Sequence, residues 1–172
     1  MRVLSIRQPY ATLIVRGIKR FELRTWSTPY RGEIAIHASS IVTRSELDRL
    51  REYDLFRDAL ELAEIDDPRA LPRRAVVGTA IISDISSARE LKVRRELLEI
   101  DYVMCGNDVD HEDQLWRLER PTELRTPVPT NGKLNLWTLP DREAARVKRA
   151  TRVPPMISSA VWQKAFRSAR RS

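Results

Sequence analysis

The segment Ser5–Trp26, SIRQPYATLIVRGIKRFELRTW, changes its hydrophobic period from helical to strand-like within a few residues. Its first half predicts a short helix, in which Pro9 takes the first helical position and residues 11–15 supply the apolar surface. Gly17 is typical of the left-handed residue that ends a helix. From residue 20 to 26 apolar and polar residues alternate, and this pattern predicts a half-buried strand.

The predicted strand has a largely apolar face and a charged face. We expect the apolar face to be the one that packs on the rest of the protein. The apolar face carries Phe21, Leu23 and Thr25, and the charged face carries Arg20, Glu22, Arg24 and Trp26.

The remaining sequence mixes short strand patterns with helical ones. Residues 75–82 form the strongest strand pattern, a β-branched run that we place at the centre of a sheet. The order of elements lacks the regular βαβ alternation of a parallel sheet, and it predicts an α+β, barrel-like domain. Further strands are predicted at 2–6, 33–39, 115–118 and 134–139, helices from Thr43 to about Glu64, at 89–98 and at 142–151, and loops at 66–74, 107–113 and the proline-rich 121–129.

Two side-chain positions follow from these patterns. The alternation in strand 33–39 turns its isoleucines inward and leaves His37 on the other, less apolar face. Thr43 and Glu46 have the spacing of a capping box at the start of the long helix.

The composition fits a folded protein without membrane spans. Of 172 residues, 42% are apolar and 32% are charged, and no apolar run approaches the ~18 to 20 residues that a membrane helix needs. The first residues, MRVLSIRQPY, lack the apolar core of a signal peptide. Cys105 is the single cysteine, so no internal disulfide can form, and no Cys/His cluster indicates zinc. We therefore expect a cytoplasmic protein with no metal and no cofactor.

Positive charge is concentrated near the C-terminus. Residues 1–140 hold 22 basic and 22 acidic residues, whereas residues 141–172 hold 9 basic and 2 acidic ones and account for the whole net charge of +7. We predict one folded domain over 1–140 and a basic helical extension over 141–172. Such an extension suits phosphate-rich partners through counterion release. Alternatively, Trp162 and Phe166 dock the extension on the core.

A second charge asymmetry lies within residues 1–140, which are neutral as a whole. Residues 1–44 carry 8 basic and 2 acidic residues, and residues 45–116 carry 10 basic and 18 acidic ones. The acidic segment 45–116 is therefore a candidate surface for a protein partner, although a charge run is also typical of a solvated face. No membrane partner is expected.

A cation–anion–cation cluster follows the predicted helix. Glu22 and Arg24 lie two residues apart on one strand face, about 7 Å along it, and Lys19 precedes the strand. Arginine can fork onto a phosphate or a base edge, lysine supplies a point charge, and glutamate accepts from an amino group. Tyr10 and Trp26 could offer stacking faces. The same spacing also suits an exposed strand with weak ion pairs.

The quoted segment, with Tyr30-Arg31-Gly32 and Ile36–Ser39 after it, resembles the ASCH domain of the PUA-like superfamily. The family motif G-x-K-x-x-E-x-R is met by Gly17, Lys19, Glu22 and Arg24. Later segments, Val77–Ala80 and Gly132–Trp137, also resemble family strands, so the resemblance covers residues 2–139.

This resemblance implies a β-barrel flanked by helices, with the motif residues lining a cleft. It also implies binding of a base or nucleotide, in RNA more than in DNA, since such domains are proposed to bind RNA, and relatives in the wider superfamily read modified bases. The implied nucleotide contacts are Gln8, Tyr10, Gly17, Lys19, Glu22, Arg24, Trp26, Arg31 and His37. We expect nucleic-acid backbone contacts from Arg142, Arg146, Lys148, Arg149, Lys164, Arg167, Arg170 and Arg171.

The resemblance leaves a hydrolase as the alternative. One branch of the family removes the acetyl group of N4-acetylcytidine, and another is described as a ribonuclease. In the first branch a threonine nucleophile follows the lysine by three residues, whereas this chain has Glu22 there. A metal-independent hydrolase would rely on Lys19 and Glu22, with His37 for proton transfer. A coactivator-like domain that binds a protein is a third possibility, and we predict the binding module.

Overall fold

The computed structural model describes residues 1–87 and 113–156. The predicted helix at 89–98, most of the acidic loop and Cys105 lie outside the described residues. The same holds for the tail from residue 157 onward, with its docking residues Trp162 and Phe166. The cationic tail residues that lie outside are Lys164, Arg167, Arg170 and Arg171.

The described chain is built on one mixed sheet. The strand order is β2-β5-β4-β3-β1-β6, and β7 adds to β5. Only β1 and β3 pair in parallel, and the other pairs are antiparallel. The predicted strand at 75–82 does lie in the middle of this sheet, as β4. The strands are β1 (Arg2–Gln8), β2 (Phe21–Arg24), β3 (Gly32–Ile41), β4 (Ala75–Ser87), β5 (Gln114–Pro129), β6 (Leu136–Thr138) and β7 (Arg152–Val153).

The helices cover both faces of the sheet. The first helix packs on one face of the sheet. The second and third helices pack on its outer side and share an apolar cluster with it. The last helix covers the opposite face through Ala144 and Val147. The helices are α1 (Tyr10–Val15), α2 (Arg44–Arg51), α3 (Asp54–Leu62) and α4 (Asp141–Arg149), with a 3-10 turn at Pro68–Ala70.

The predicted barrel is wrong, because the sheet stays open in the described residues. β2 and β6 stand at opposite ends of the strand order and do not pair there. A side chain instead connects β2 with β1, the strand next to β6: the Arg24 guanidinium donates from Nη2 to the Ser5 carbonyl at 2.7 Å. The sheet therefore curls toward closure, but a side chain rather than a backbone ladder spans the seam.

The proline-rich connector predicted at 121–129 is also wrong. β5 runs without a break from Gln114 to Pro129. Its prolines fall where the register with β4 shifts or where the strand ends, so their missing N–H groups remove no regular ladder bond. Arg120, at one of these shifts, has φ of 48°, the left-handed geometry that occurs in β-bulges.

The long helix predicted from Thr43 to about Glu64 is two helices. Tyr53 takes an extended conformation, with φ −88° and ψ 121°, and caps α3. Thr43 does cap α2, since its hydroxyl accepts from the Glu46 N–H at 3.2 Å. The Glu46 carboxylate completes no capping box, because it pairs with Arg7 at 2.8 Å. Pro9 also lies one position earlier than predicted, as the N-cap of α1.

The beginning of the predicted extension packs on the sheet. α4 confirms the predicted basic helix, and β7 pairs with β5 through Arg152 and Val153. The chain division at residue 140 and the role of residues 157–172 stay predictions. None of the described helices has the length and apolarity needed to cross a bilayer.

Candidate functional site

A glycine turn places Lys19 at the start of the cluster. Gly17 has φ of 84°, and its N–H donates to the Ile14 carbonyl at 2.9 Å. The Ile18 N–H donates to the Leu13 carbonyl at 2.9 Å, and both side chains are buried in one apolar cluster. These two bonds and that contact form a Schellman motif, so the predicted helix stop is confirmed.

Lys19 is buried rather than displayed. The residue is 2% exposed, and its Nζ lies 3.6 Å from Glu22 Oε2. The same Nζ lies 5.6 Å from the centre of the Tyr10 ring, a distance at which a cation is attracted by an aromatic face. A carboxylate and a ring therefore stabilise a cation that has almost no access to water.

Glu22 lies between two cations. Its Oε1 is 3.1 Å from Arg24 Nη2, and the residue is 9% exposed. The predicted orientation of the strand is thus wrong, because the charged face is turned inward while Phe21 and Leu23 are only half-buried. The inward orientation is possible because Lys19 and Arg24 together offset the carboxylate. We call Lys19, Glu22 and Arg24 the ionic cluster; its formal net charge is +1.

Arg24 keeps hydrogen-bonding capacity beyond the cluster. Its side chain is 25% exposed, the most open of the three, and its Nη2 serves both Glu22 and the Ser5 carbonyl. Its Nε is buried and has no hydrogen-bond partner among the described residues. A guanidinium offers five N–H donors in a planar fork, so this one can still bind an anionic or polar ligand.

The two predicted stacking residues have different surroundings. Tyr10 lies edge-on to Phe56 at 6.4 Å and carries Lys19 on its face. Trp26 lies edge-on to Trp116 at 4.6 Å, and the Trp116 indole donates to the Trp26 carbonyl at 3.2 Å. Trp26 alone of the predicted site residues also lines a cleft of about 590 Å³.

The sequence prediction missed the other walls of this cleft. They come from the turn after β2, from the start of β1, and from the start of the edge strand β6 with the residue before it. No chemical motif marks these residues, and only the fold brings the three segments together. The lining residues are Arg2, Trp26, Ser27, Thr28, Pro29, Tyr30, Asn135 and Leu136.

Gln8 and Arg31 are engaged in local structure. Gln8 is fully buried; its Oε1 accepts from the Thr12 N–H at 3.1 Å and its Nε2 donates to the Pro72 carbonyl at 2.8 Å. Arg31 is exposed, and its Nη1 donates to the Thr28 carbonyl at 2.8 Å. Their ligand contacts stay predictions.

His37 is not brought together with the ionic cluster. It is 1% exposed on the sheet face that α4 covers, edge-on to Trp137 at 5.9 Å. The predicted less apolar face is therefore itself a packed layer. Gly132 rests on the imidazole so closely that a Cβ would collide with it. Burial lowers the pKa of His37, and a hydrogen bond between Nε2 and the Thr130 carbonyl at 3.2 Å offsets part of this effect.

We expect the buried His37 to make stability depend on pH. Its folded-state pKa lies below the ordinary value of 6.5, so on acidification the unfolded chain takes up the proton first. Stability is complete above pH 6.5 and declines below it, by at most about 1.4 kcal/mol per pH unit. Urea unfolding between about pH 7.5 and 5.5 measures this decline, which His37→Gln should flatten. An imidazole proton of His37 that titrates at or above 6.5 by NMR would contradict it.

The described cations of the predicted backbone-binding set lie on α4. Arg142, Arg146 and Arg149 are spaced by four and three residues, so they form one stripe along the helix. With Lys148 they are exposed, and no acidic partner is found for them among the described residues. This stripe lies on the opposite side of the sheet from the ionic cluster.

The acidic segment is partly neutralised where the structure describes it. Several of its carboxylates pair with arginines at its surface. The pairs are Glu46 with Arg7, Asp48 with Arg44, Asp54 with Arg57 and Asp67 with Arg69.

Solved structures of ASCH proteins share this fold. The ASCH protein of Zymomonas mobilis superposes with a TM-score of 0.53 at 17% identity, over 87% of this chain and 95% of that one. A single-substitution variant of it gives 0.52 at 17% identity, over 87% and 98%. At this identity the likeness shows the fold alone.

Sequence comparison identifies the family. Activating signal cointegrator 1 of Homo sapiens is 27% identical over 139 residues, which are 79% of this chain and 22% of the human protein. The Mus musculus protein of the same name gives the same figures, 27% over 139 residues. The chain thus spans about a fifth of the length of these curated relatives. The ASCH domain model matches residues 4–115, more than half of the sequence. The chain therefore belongs to the ASCH domain family.

Proposed function

We propose that this chain is a nucleic-acid-binding module that holds one base or nucleotide of RNA at the ionic cluster. The observation that carries the proposal is the buried Glu22 between two cations, one of which, Arg24, has a side chain 25% exposed and so within reach of a ligand. The cluster is prepared for a polar ligand before one arrives, because its side chains are held by the fold. Preorganisation of this kind lowers the cost of binding.

The three side chains suit the edge of a nucleotide. The guanidinium of Arg24 can donate in parallel to a phosphate or to the acceptor edge of a base. The Glu22 carboxylate accepts from an exocyclic amino group. Because Lys19 and Glu22 are buried, polar interactions at the cluster are stronger than the same interactions would be in water. Unpaired bases present such edges in single-stranded RNA.

A second surface supplies affinity without sequence preference. The stripe of α4, together with the cationic residues beyond 156, contacts the phosphate backbone by this proposal. Arg142, Arg146 and Arg149 lie across the sheet from the ionic cluster, so recognition and backbone affinity are separable. Substitutions in the α4 stripe should leave the ionic cluster intact, and substitutions in the ionic cluster should leave the stripe intact.

Binding is preferred to hydrolysis for a geometric reason. Glu22 occupies the place of the threonine in the amidohydrolase branch, and two ion pairs hold its carboxylate. Incubation with RNA and with N4-acetylcytidine tests this preference. Turnover that Lys19→Met abolishes would establish the hydrolase alternative instead.

The curated relatives motivate a protein partner as a secondary role. Their name, activating signal cointegrator 1, denotes a protein that joins other factors. The acidic segment 45–116 is the surface we propose for such a partner, chiefly through residues that make no local pair with arginine. A pull-down that recovers protein but no nucleic acid would favour this role over RNA binding.

The RNA-binding proposal is tested by fluorescence anisotropy with labelled single-stranded RNA at low salt. We expect Arg24→Lys, which keeps the charge but loses the fork, to weaken binding about tenfold, since a bidentate contact is worth roughly 1 to 3 kcal/mol. Arg57→Lys on the exposed surface of α3 is the matched control and should bind like wild type.

Substitutions in the α4 stripe should change the salt dependence of RNA binding in the same assay. Replacing Arg142, Arg146 and Arg149 with glutamine should lower the slope of log affinity against log salt by about 2 to 3, since each phosphate contact contributes roughly 0.7 to 0.9. Arg24→Lys should change this slope by less than about 1. A wild-type chain with no affinity for RNA or DNA at low salt would refute the proposed function.

A further inference from the structure

The cleft beside Trp26 lies next to the ionic cluster along two strands. Trp26 follows Arg24 by two residues, in the bend after β2. On β1, Arg2 precedes Ser5, the partner of Arg24, by three residues, about 10 Å. Trp116 links the two places, because it pairs with Glu22 in the sheet and packs edge-on against Trp26.

The floor of the cleft is apolar and rigid. Trp26, Tyr30 and Leu136 are half-buried, and each packs against the core cluster beneath the sheet. Their outer surfaces face the cleft. Half-buried rings that are fixed from below form a stacking platform, since every base presents an apolar face to such a surface.

The rim of the cleft is polar. Arg2 is exposed and uses its Nη1 on Thr138 Oγ1 at 3.3 Å, which leaves its other N–H groups for a ligand. Asn135 is exposed, with φ of 56°, so its amide is presented from a left-handed turn. A side-chain amide both donates and accepts, as the edge of a base does, and a guanidinium pairs with phosphate.

We infer that this cleft is a second subsite, which takes the unpaired base next to the nucleotide at the ionic cluster. The inference rests on the proposed function. In it, the base stacks on Trp26, the Asn135 amide meets its edge, and Arg2 meets the phosphate between the two nucleotides. The cleft volume of about 590 Å³ lies within the ~300 to 1,000 Å³ of small-molecule sites.

The distance between the two subsites determines which kind of nucleic acid can fill both. Arg2 of the cleft and Ser5, the partner of Arg24, lie about 10 Å apart along β1, which exceeds the ~3.4 Å rise between stacked bases. Neighbouring bases must therefore unstack to fill both subsites. The ligand is single-stranded, and the base in the cleft adds sequence context to the base in the ionic cluster.

Two ligand lengths separate this inference from the proposed function. Mononucleotides (AMP, CMP, GMP and UMP) and single-stranded RNA tetranucleotides are titrated against the full chain, followed by NMR. We expect Asn135→Gly, which tolerates the positive φ, and Arg2→Gln each to weaken tetranucleotide binding about tenfold. Mononucleotide binding should not change. Leu134→Ala, on the same loop but 89% exposed and outside the cleft, is the control.

Each other outcome decides one of the two claims. Unchanged tetranucleotide affinity in Asn135→Gly and Arg2→Gln, with Arg24→Lys still defective, overturns the second subsite and leaves the proposed function standing. Equal losses for mononucleotides and tetranucleotides also overturn it, because the cleft would then belong to the first site. Absence of binding by either ligand to the wild-type chain overturns the proposed function itself. Trp26→Phe, which retains an aromatic ring against Trp116, should weaken tetranucleotide binding alone.

Discussion

Replacing Glu22 with glutamine is expected to lower the free energy of unfolding by about 3 to 5 kcal/mol. The substitution keeps the shape of the side chain but removes the charge between Lys19 and Arg24. Lys19, at 2% exposure, is then a buried cation without its carboxylate. Because water cannot replace the lost carboxylate, the part of the desolvation cost that the carboxylate offset is left uncompensated. Urea unfolding followed by circular dichroism measures the change.

An exposed carboxylate provides the matched control. Asp48 pairs with Arg44 at 3.9 Å on α2, where the two side chains are 62% and 89% exposed. Asp48→Asn removes the same charge, yet it should cost less than about 0.5 kcal/mol. A Glu22→Gln variant that unfolds like Asp48→Asn would show that water reaches the ionic cluster, contrary to its burial here.

Substitution of Gly78 is expected to have the second large effect. Gly78 lies in β4 where α1 crosses the sheet, and a Cβ there would collide with the Thr122 backbone oxygen and the Val15 side chain. A backbone oxygen in a paired strand cannot move without breaking the ladder. We therefore expect Gly78→Ala to cost about 3 kcal/mol or more.

The same unfolding assay checks this prediction. Ser83→Ala, on the exposed part of the same strand, should change stability by no more than about 0.5 kcal/mol. A Gly78→Ala chain that yields no folded protein, while Ser83→Ala folds like wild type, is the same predicted result in its extreme form. A fully stable Gly78→Ala variant would contradict the close contact between α1, β4 and β5.

Local chemistry made part of the fold predictable. Gly17 ends α1 because only a residue that tolerates positive φ closes the Schellman motif, and that requirement is visible in the sequence. The β-branched run at 75–82 is central because it can be buried on both faces. The family motif identified the three members of the ionic cluster before any geometry was known.

Other features depend on contacts far apart in the chain. The alternation in β2 fixes which residues share a face, but which face is buried depends on Trp116, more than 90 residues later. The prolines at 121–129 favour a loop when the sequence is read locally. They fit into a strand only through register shifts, and these arise from pairing with β4. His37 is buried because α4 and Trp137 cover its face of the sheet. The local sequence pattern of β3 cannot predict the contact with either.

The open sheet illustrates the same limit. Strand patterns predict strands but not whether the first and last of them meet. Here Arg24 reaches Ser5 through a side chain, so the residue that the motif marks for ligand binding also joins the end strand β2 to β1, the strand next to β6. A ligand at Arg24 would therefore also act on the seam between β1 and β2.

Side-chain NMR of Arg24 tests the ligand-binding role of the ionic cluster most directly. The Nε of Arg24 has no hydrogen-bond partner within residues 1–87 and 113–156, and its resonance can be assigned by comparison with Arg24→Lys. Titration with single-stranded RNA at low salt should shift this resonance with the same Kd that anisotropy gives. Saturable RNA binding that shifts the Nε resonances of Arg142, Arg146 and Arg149 but leaves that of Arg24 unchanged would contradict the assignment of the site.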